Sequence, residues 1–123
     1  MILLDSNVII ACNNKRDALH QQALKVDVKS AAINQLVFSE IANVLQKRVQ
    51  DKAIVMNSLR EVLEEMTILT VTDDDLIETL DIFSENYPKL SFTDSSLLAL
   101  SKRHGIEVVS FDSELNKRKY LYK

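Results

Sequence analysis

The sequence has 123 residues, is 46% hydrophobic and carries a formal net charge of −3. This length fits one domain with one hydrophobic core, so residues 1–123 are expected to form a single domain. The negative charge argues against a broad basic surface for nucleic acid. It does not exclude a nucleic-acid enzyme, because cations bound at an acidic site restore the charge balance.

Cysteine content and hydropathy indicate the cellular compartment of the chain. Cys12 is the only cysteine, which excludes a disulfide framework and favours a reducing, cytoplasmic compartment. No stretch approaches the roughly 18 continuous apolar residues of a membrane span, so no membrane partner is expected. Residues 1–11 are apolar but lack a basic start and contain Asp5, so they predict a first strand rather than a signal peptide.

The first half of the chain predicts two strands, at residues 2–4 and 31–33, each followed by helical segments. Helices are predicted at 8–12, 17–25, 35–48 and 51–66. Asn34 lies where the helix at 35–48 needs a cap, and a stripe of apolar residues marks the helix at 51–66.

The second half predicts a strand at 67–71, helices at 74–86 and 91–104, and a strand at 107–110. Thr72 or Asp73 caps the first of these helices, Pro88 follows it, and Gly105 ends the second. A turn or short helix is expected at 112–116 and a short edge strand at 120–123. Strands alternating with helices predict an α/β fold with a parallel sheet and helices on both faces.

Two acidic residues follow apolar strands directly. Asp5 ends the first strand, and Asp112 comes just after the strand at 107–110. Ligands of open α/β sheets bind in the crevice at the carboxyl ends of the strands. Asp5 and Asp112 would face the same crevice if their strands are neighbours.

Two further acids lie on apolar helix faces. Glu40 falls within the stripe formed by Val37 and Ile41, and Asp94 shares a face with Leu97 near the start of its helix. A carboxylate on a buried face is costly unless a positive or hydrogen-bonding group meets it. No Lys or Arg nearby in the sequence fills that role.

A divalent cation such as Mg²⁺ or Mn²⁺ explains all four acids, because these ions prefer oxygen ligands. Zinc is disfavoured, since His20 and His104 lie far from the acids in sequence. Each acid also has a purely structural explanation. Asp5 and Asp112 can cap the segments that follow them, Asp94 can complete a capping box begun by Ser91, and Glu40 can reach water from the stripe's edge.

A basic run at 117–119 precedes Tyr120 and Tyr122. These tyrosines can stack on RNA bases beside a phosphate-binding patch. A terminal edge strand is the preferred interpretation.

The sequence resembles the PIN-domain nucleases, and within them the VapC-like toxins of toxin–antitoxin pairs. The resemblance rests on residues 2–8 (ILLDSNV), 39–42 (SEIA), 92–94 (FTD) and 108–112 (VVSFD), and it spans nearly the whole chain. Leu115 stands where the family often has an aromatic residue.

The resemblance implies a PIN-like three-layer sandwich and an endoribonuclease that depends on Mg²⁺ or Mn²⁺. It implies that Asp5, Asp94 and Asp112 hold the metal and that Glu40 binds metal or orients the attacking water. It also implies an RNA substrate, a homodimer and inhibition by a cognate antitoxin. Three polar residues would fix the carboxylates from behind, namely Ser6, Asn7 and Ser110.

Two alternatives stay open. One is a PIN-like binding or regulatory module without catalysis, which the presence of all four acids disfavours. The other is a phosphate-accepting receiver-type domain. That domain needs an acidic neighbour beside Asp5 and a lysine after the late strand, and neither is present before Lys117.

Overall fold

Four short strands form one parallel sheet in the computed structural model, which describes residues 1–123. They are β1 (Ile2–Leu4), β2 (Ala31–Asn34), β3 (Thr67–Leu69) and β4 (Glu107–Val109), in the spatial order β3-β2-β1-β4. Leu4 pairs with Val109, so the first and last strands are neighbours. The predicted α/β fold with a parallel sheet is confirmed.

Seven α-helices surround the sheet: α1 (Ser6–Cys12), α2 (His20–Ala23), α3 (Gln35–Arg48), α4 (Lys52–Glu65), α5 (Asp73–Glu85), α6 (Phe92–His104) and α7 (Ser113–Arg118). Helix α1 packs on α2 and α3, α3 packs on α4, and α5 packs on α6. Right-handed crossovers place α1 to α4 on one face of the sheet and α5 and α6 on the other. The result is the expected three-layer sandwich.

Local sequence signals set the helix ends. The side chains of Asn34, Asp51, Thr72 and Ser91 accept hydrogen bonds from first-turn N–H groups of α3, α4, α5 and α6. Gly105 ends α6 in the left-handed conformation with φ of 65°, where other residues are strained. These caps explain why most element ends lie within two residues of their predicted positions.

The core lies on both faces of the central strands. Leu3, Leu4 and Ile33 are fully buried, and α6 presents Leu97 and Leu98 to them. Each such side chain contributes roughly 1.5–3 kcal/mol by its burial, which holds the strand ends in a fixed frame.

The predicted edge strand at 120–123 is wrong. Lys119–Tyr122 form a 3₁₀ helix, and the sheet has four strands. The Tyr122 hydroxyl accepts from Asn86 Nδ2 (2.9 Å) and donates to Glu85 (2.8 Å), which ties the segment to the end of α5. Tyr120 stays exposed, so the two tyrosines do not share a face as an alternating strand would require.

No helix is both long and apolar enough to cross a bilayer.

Candidate active site

The sheet order brings the two strand-end acids together. Strands β1 and β4 are parallel neighbours, and the Asp5 N–H donates to the Val109 carbonyl at 3.1 Å. In open α/β sheets, ligands bind in the crevice at the carboxyl ends of the strands, and β1 and β4 end side by side there. Asp5 and Asp112 both lie at this crevice, as the strand positions predicted.

Ser110 joins the two loops at the crevice. Its hydroxyl donates to Asp5 Oδ2 at 2.7 Å and accepts from the Asp112 N–H at 2.9 Å. Asn7 Nδ2 donates to the same hydroxyl at 3.3 Å, while Asn7 Oδ1 accepts from the Phe111 N–H at 3.2 Å. Ser110 and Asn7 therefore fix the two loops relative to each other.

Glu40 reaches the crevice from α3. Its carboxylate accepts a hydrogen bond from the Ser6 hydroxyl, and the Ser6 N–H donates to Asp5 Oδ1 at 2.7 Å. Ser6 thus connects the acid of the first strand to the acid of α3. Glu40 is half-buried on its helix, in agreement with its place in the apolar stripe.

Asp94 occupies the first turn of α6. The Ser91 N–H donates to Asp94 Oδ2 at 3.3 Å, and the Asp94 N–H donates to Ser91 Oγ at 3.0 Å, which is a complete capping box. Asp5 and Asp112 also cap their helices, α1 and α7. The capping roles predicted for these three acids are therefore confirmed. The same acids also cluster at one crevice.

One hydrogen bond between α3, which carries Glu40, and α6, which carries Asp94, could not be predicted from the sequence. Asn34 caps α3 through its Oδ1 atom, and its Nδ2 atom donates to Ser96 Oγ on α6 at 3.0 Å. Both side chains are fully buried. The cap was predicted, but a contact across 62 residues depends on how the fold brings the start of α3 to α6.

Burial and like charge disturb the acids. Burial raises the pKa of Asp5 to about 6, with further increases from the charges of Asp94 and Glu40, against the hydrogen bonds from Ser110 and Ser6. Burial also raises the pKa of Asp94, and the charges of Asp112 and Glu40 add to this effect. None of the four acids forms an ion pair with Lys, Arg or His. The crevice holds clustered negative charge without a positive partner.

The residues fit a divalent cation by their chemistry. The donor set is made of carboxylate oxygens, which Mg²⁺ and Mn²⁺ prefer, and a cation would relieve the repulsion among the acids. As the side chains stand, no group of three or more Asp, Glu, His or Cys residues is placed so that it could hold a metal ion. One oxygen of the Asp94 carboxylate and one of the Asp112 carboxylate accept capping hydrogen bonds at the start of α6 and α7.

Fold and crevice define a parallel α/β protein with an acidic site at the carboxyl end of its sheet. The PIN domain family model matches residues 2–119, and the chain belongs to the PIN-domain family. This membership removes the receiver-type alternative. None of the curated proteins compared by sequence matches the chain significantly.

Solved structures share the fold. VapC20 of Mycobacterium tuberculosis, described as a toxin that cleaves the sarcin-ricin loop, superposes with a TM-score of 0.81 at 19% identity over 95% of this chain and 94% of that one. VapBC2 of Rickettsia felis, bound to promoter DNA, gives 0.72 at 18% identity over 96% and 92%. A toxin–antitoxin complex from Klebsiella pneumoniae gives 0.66 at 22% identity over 89% and 85%. The fold of the chain is that of VapC-type proteins.

Proposed function

We propose that this PIN domain is a metal-dependent endoribonuclease that hydrolyses RNA phosphodiester bonds, and that it is the toxin of a toxin–antitoxin pair. The observation that carries the proposal is the crevice itself. Four carboxylates arrive there from four separate parts of the chain, and no basic side chain pairs with them. Such an arrangement is costly for folding, and selection for cation binding explains why the chain retains it.

Each residue has a role in this proposal. Asp5, Asp94 and Asp112 hold Mg²⁺ or Mn²⁺, and Glu40 binds the metal or orients the attacking water. A bound cation supplies Lewis-acid polarisation of the phosphate and lowers the pKa of water. The chain's own contribution is positional: Ser6, Asn7 and Ser110 hold the carboxylates through the hydrogen bonds described above.

The partners follow from the similar structures. Two of them are toxin–antitoxin assemblies, and the third cleaves the sarcin-ricin loop. We therefore assign an RNA substrate and a cognate antitoxin. We propose a homodimeric state from membership of the PIN-domain family and a cytoplasmic location from the single cysteine.

The test compares three chains, namely the unmodified protein, Asp94→Asn and Asp75→Asn. Asp75 is the matched control because it occupies the same capping position on α5 but pairs with Arg103. On induction in a bacterial host, we expect growth arrest and RNA fragments from the unmodified chain and Asp75→Asn. Asp94→Asn should give neither.

The purified proteins give the decisive form of the experiment. Chelation with EDTA should stop RNA cleavage, and Mg²⁺ or Mn²⁺ should restore it. If folded, metal-supplied protein cleaves no RNA and Asp94→Asn behaves identically, the nuclease proposal is wrong and the chain is a binding module of the PIN family.

A further inference from the structure

Two buried polar side chains lie where the start of α3 meets α6. Asn34 and Ser96 are both fully buried, and the residues next to them in sequence, Ile33 and Leu97, belong to the hydrophobic core. A buried amide or hydroxyl destabilises a fold unless it is hydrogen-bonded. No buried side-chain nitrogen or oxygen of this protein lacks a partner. The hydrogen bonds of Asn34 and Ser96 therefore explain how the core accommodates them.

These hydrogen bonds form a chain from one helix to the other. Asn34 Oδ1 accepts from the Val37 N–H at 2.9 Å, in the first turn of α3, and Asn34 Nδ2 donates to Ser96 Oγ at 3.0 Å. The Ser96 hydroxyl donates in turn to the Thr93 carbonyl at 2.5 Å, near the start of α6. The bond between Asn34 and Ser96 is the only hydrogen bond that joins β2 or α3 to α6.

Both ends of the chain lie beside acids of the crevice. The peptide group between Thr93 and Asp94 is held on two sides, because its carbonyl accepts from Ser96 and its N–H donates to Ser91 Oγ at 3.0 Å. At the other end, Val37 lies three residues before Glu40, on the same side of α3. The chain of hydrogen bonds therefore connects the backbone that carries Asp94 to the helix turn that leads to Glu40.

Capping alone does not explain the asparagine at position 34. A helix cap needs an acceptor oxygen, which Asp, Ser and Thr provide as well as Asn does. Of these four residues, Asn alone carries its donor and its acceptor on separate atoms. In this structure the oxygen of Asn34 caps α3 and the nitrogen reaches α6. The second bond adds nothing to the cap, so its effect is on the position of α6 relative to α3.

We propose that Asn34 and Ser96 are positioning residues that hold Glu40 and Asp94 at the separation a divalent cation needs. This inference rests on the proposed metal-dependent function and adds to it two residues that act through their neighbours. Apolar packing between the helices is non-directional, whereas a hydrogen bond has a preferred length and angle. Residues that orient metal ligands from behind typically change metal affinity by 10- to 100-fold.

The test compares Ser96→Ala with Ser101→Ala, the same substitution at two places on α6. The Ser101 hydroxyl also donates to a backbone carbonyl, that of Ile106, but Ser101 lies seven residues beyond Asp94, about 10 Å along the helix. Asn34→Thr, which keeps a capping oxygen, and the double variant Asn34→Thr/Ser96→Ala complete the set. Mn²⁺ binding to the folded, metal-free proteins is measured from the EPR signal of unbound Mn²⁺, and stability is measured by urea unfolding.

We expect Ser96→Ala and Asn34→Thr each to weaken Mn²⁺ binding about tenfold. The double variant should bind no more weakly than either single variant, because the same bond is lost in all three. Ser101→Ala should lower the urea midpoint, as Ser96→Ala does, and should keep the Kd of the parent. A purely structural role of Asn34 and Ser96 would lower the midpoint and leave the Kd for Mn²⁺ unchanged.

Binding of Mn²⁺ by Ser96→Ala as tight as in the parent, or equal weakening in Ser101→Ala, would overturn the inference and leave the proposed function standing. Losses that add in the double variant would also overturn it, because the two side chains would then act separately. The proposed function fails differently. If Mn²⁺ binding depends on Asn34 and Ser96 but the protein cleaves no RNA, the positioning pair stands and the nuclease proposal falls. A parent that binds no Mn²⁺ would overturn both.

Discussion

Helices α5 and α6 begin with the same capping box, but the carboxylates of the two boxes have opposite electrostatic surroundings. Thr72 and Asp75 form the box of α5, and Ser91 and Asp94 form the box of α6. Asp75 receives two bonds from Arg103, at 2.7 and 2.8 Å. Asp94 meets the charges of Asp5, Glu40 and Asp112 instead.

The pKa values of the two carboxyls follow this difference. Burial acts to raise the pKa of Asp75, but hydrogen bonds from Thr72 and Arg103 outweigh it, and the pKa falls below its ordinary value. Burial raises the pKa of Asp94, and like charges raise it further. A capping carboxylate with its own cation is structural, whereas one surrounded by other acids points to a ligand.

The largest expected effect is on catalysis. Asp94→Asn should lower the rate of RNA cleavage on the order of 10³-fold, since it removes charge from a site built on electrostatic stabilisation. Asp75→Asn should keep the parent rate. Both substitutions retain a side-chain oxygen for the capping box, so circular dichroism should show folded proteins. Equal rates of RNA cleavage by Asp94→Asn and Asp75→Asn would show that the two capping carboxylates do not differ in function.

The second prediction concerns pH and Asp5 in metal-free protein. Its pKa is about 6 in the fold against 3.8 for an ordinary aspartate, so the folded state holds the proton more tightly. Stability from this group is full at low pH and is lost as the pH rises through about 4 to 6, by about 3 kcal/mol in all. Asp5→Asn should flatten this decline, as measured by urea unfolding in EDTA from pH 4 to 8. A decline that persists unchanged in Asp5→Asn would assign it to other groups.

The smallest effect belongs to Asp75 and has the opposite pH dependence. Its lowered pKa means that it stabilises the fold above about pH 4 and that this contribution is lost as the pH falls. Asp75→Asn should cost about 1–2 kcal/mol at neutral pH, less than a fully buried pair, because 44% of the Arg103 side chain is exposed to solvent. In the same urea measurement, the difference from the parent should shrink as the pH is lowered below 4. A cost that does not change as the pH falls would show that the ion pair is not its source.

The sequence predicted helix ends correctly where a local capping residue sets them. The caps Asn34 and Ser91 and the left-handed Gly105 set helix ends that a single sequence reveals. It failed at 119–122, where hydrogen bonds of Tyr122 to α5 override an alternating pattern. It also predicted residues 17–25 as a helix, whereas α2 covers only His20–Ala23.

The four acids of the proposed site could be selected from the sequence, but the groups that surround each of them could not. Asp5, Glu40, Asp94 and Asp112 were visible because their positions conflict with burial or follow strands. The sequence could not show that Asp75 pairs with Arg103, 28 positions away, while Asp94 has no such partner.

The central claim is that the four carboxylates bind a divalent cation, and thermal unfolding with and without Mn²⁺ or Mg²⁺ tests it most directly. Ligand at 100 times its Kd stabilises a folded protein by about 2.7 kcal/mol, which shifts Tm by several degrees. We predict this shift for the unmodified chain and Asp75→Asn, and its loss in Asp94→Asn. Absence of a shift in the unmodified chain, or an equal shift in Asp94→Asn, would contradict the account.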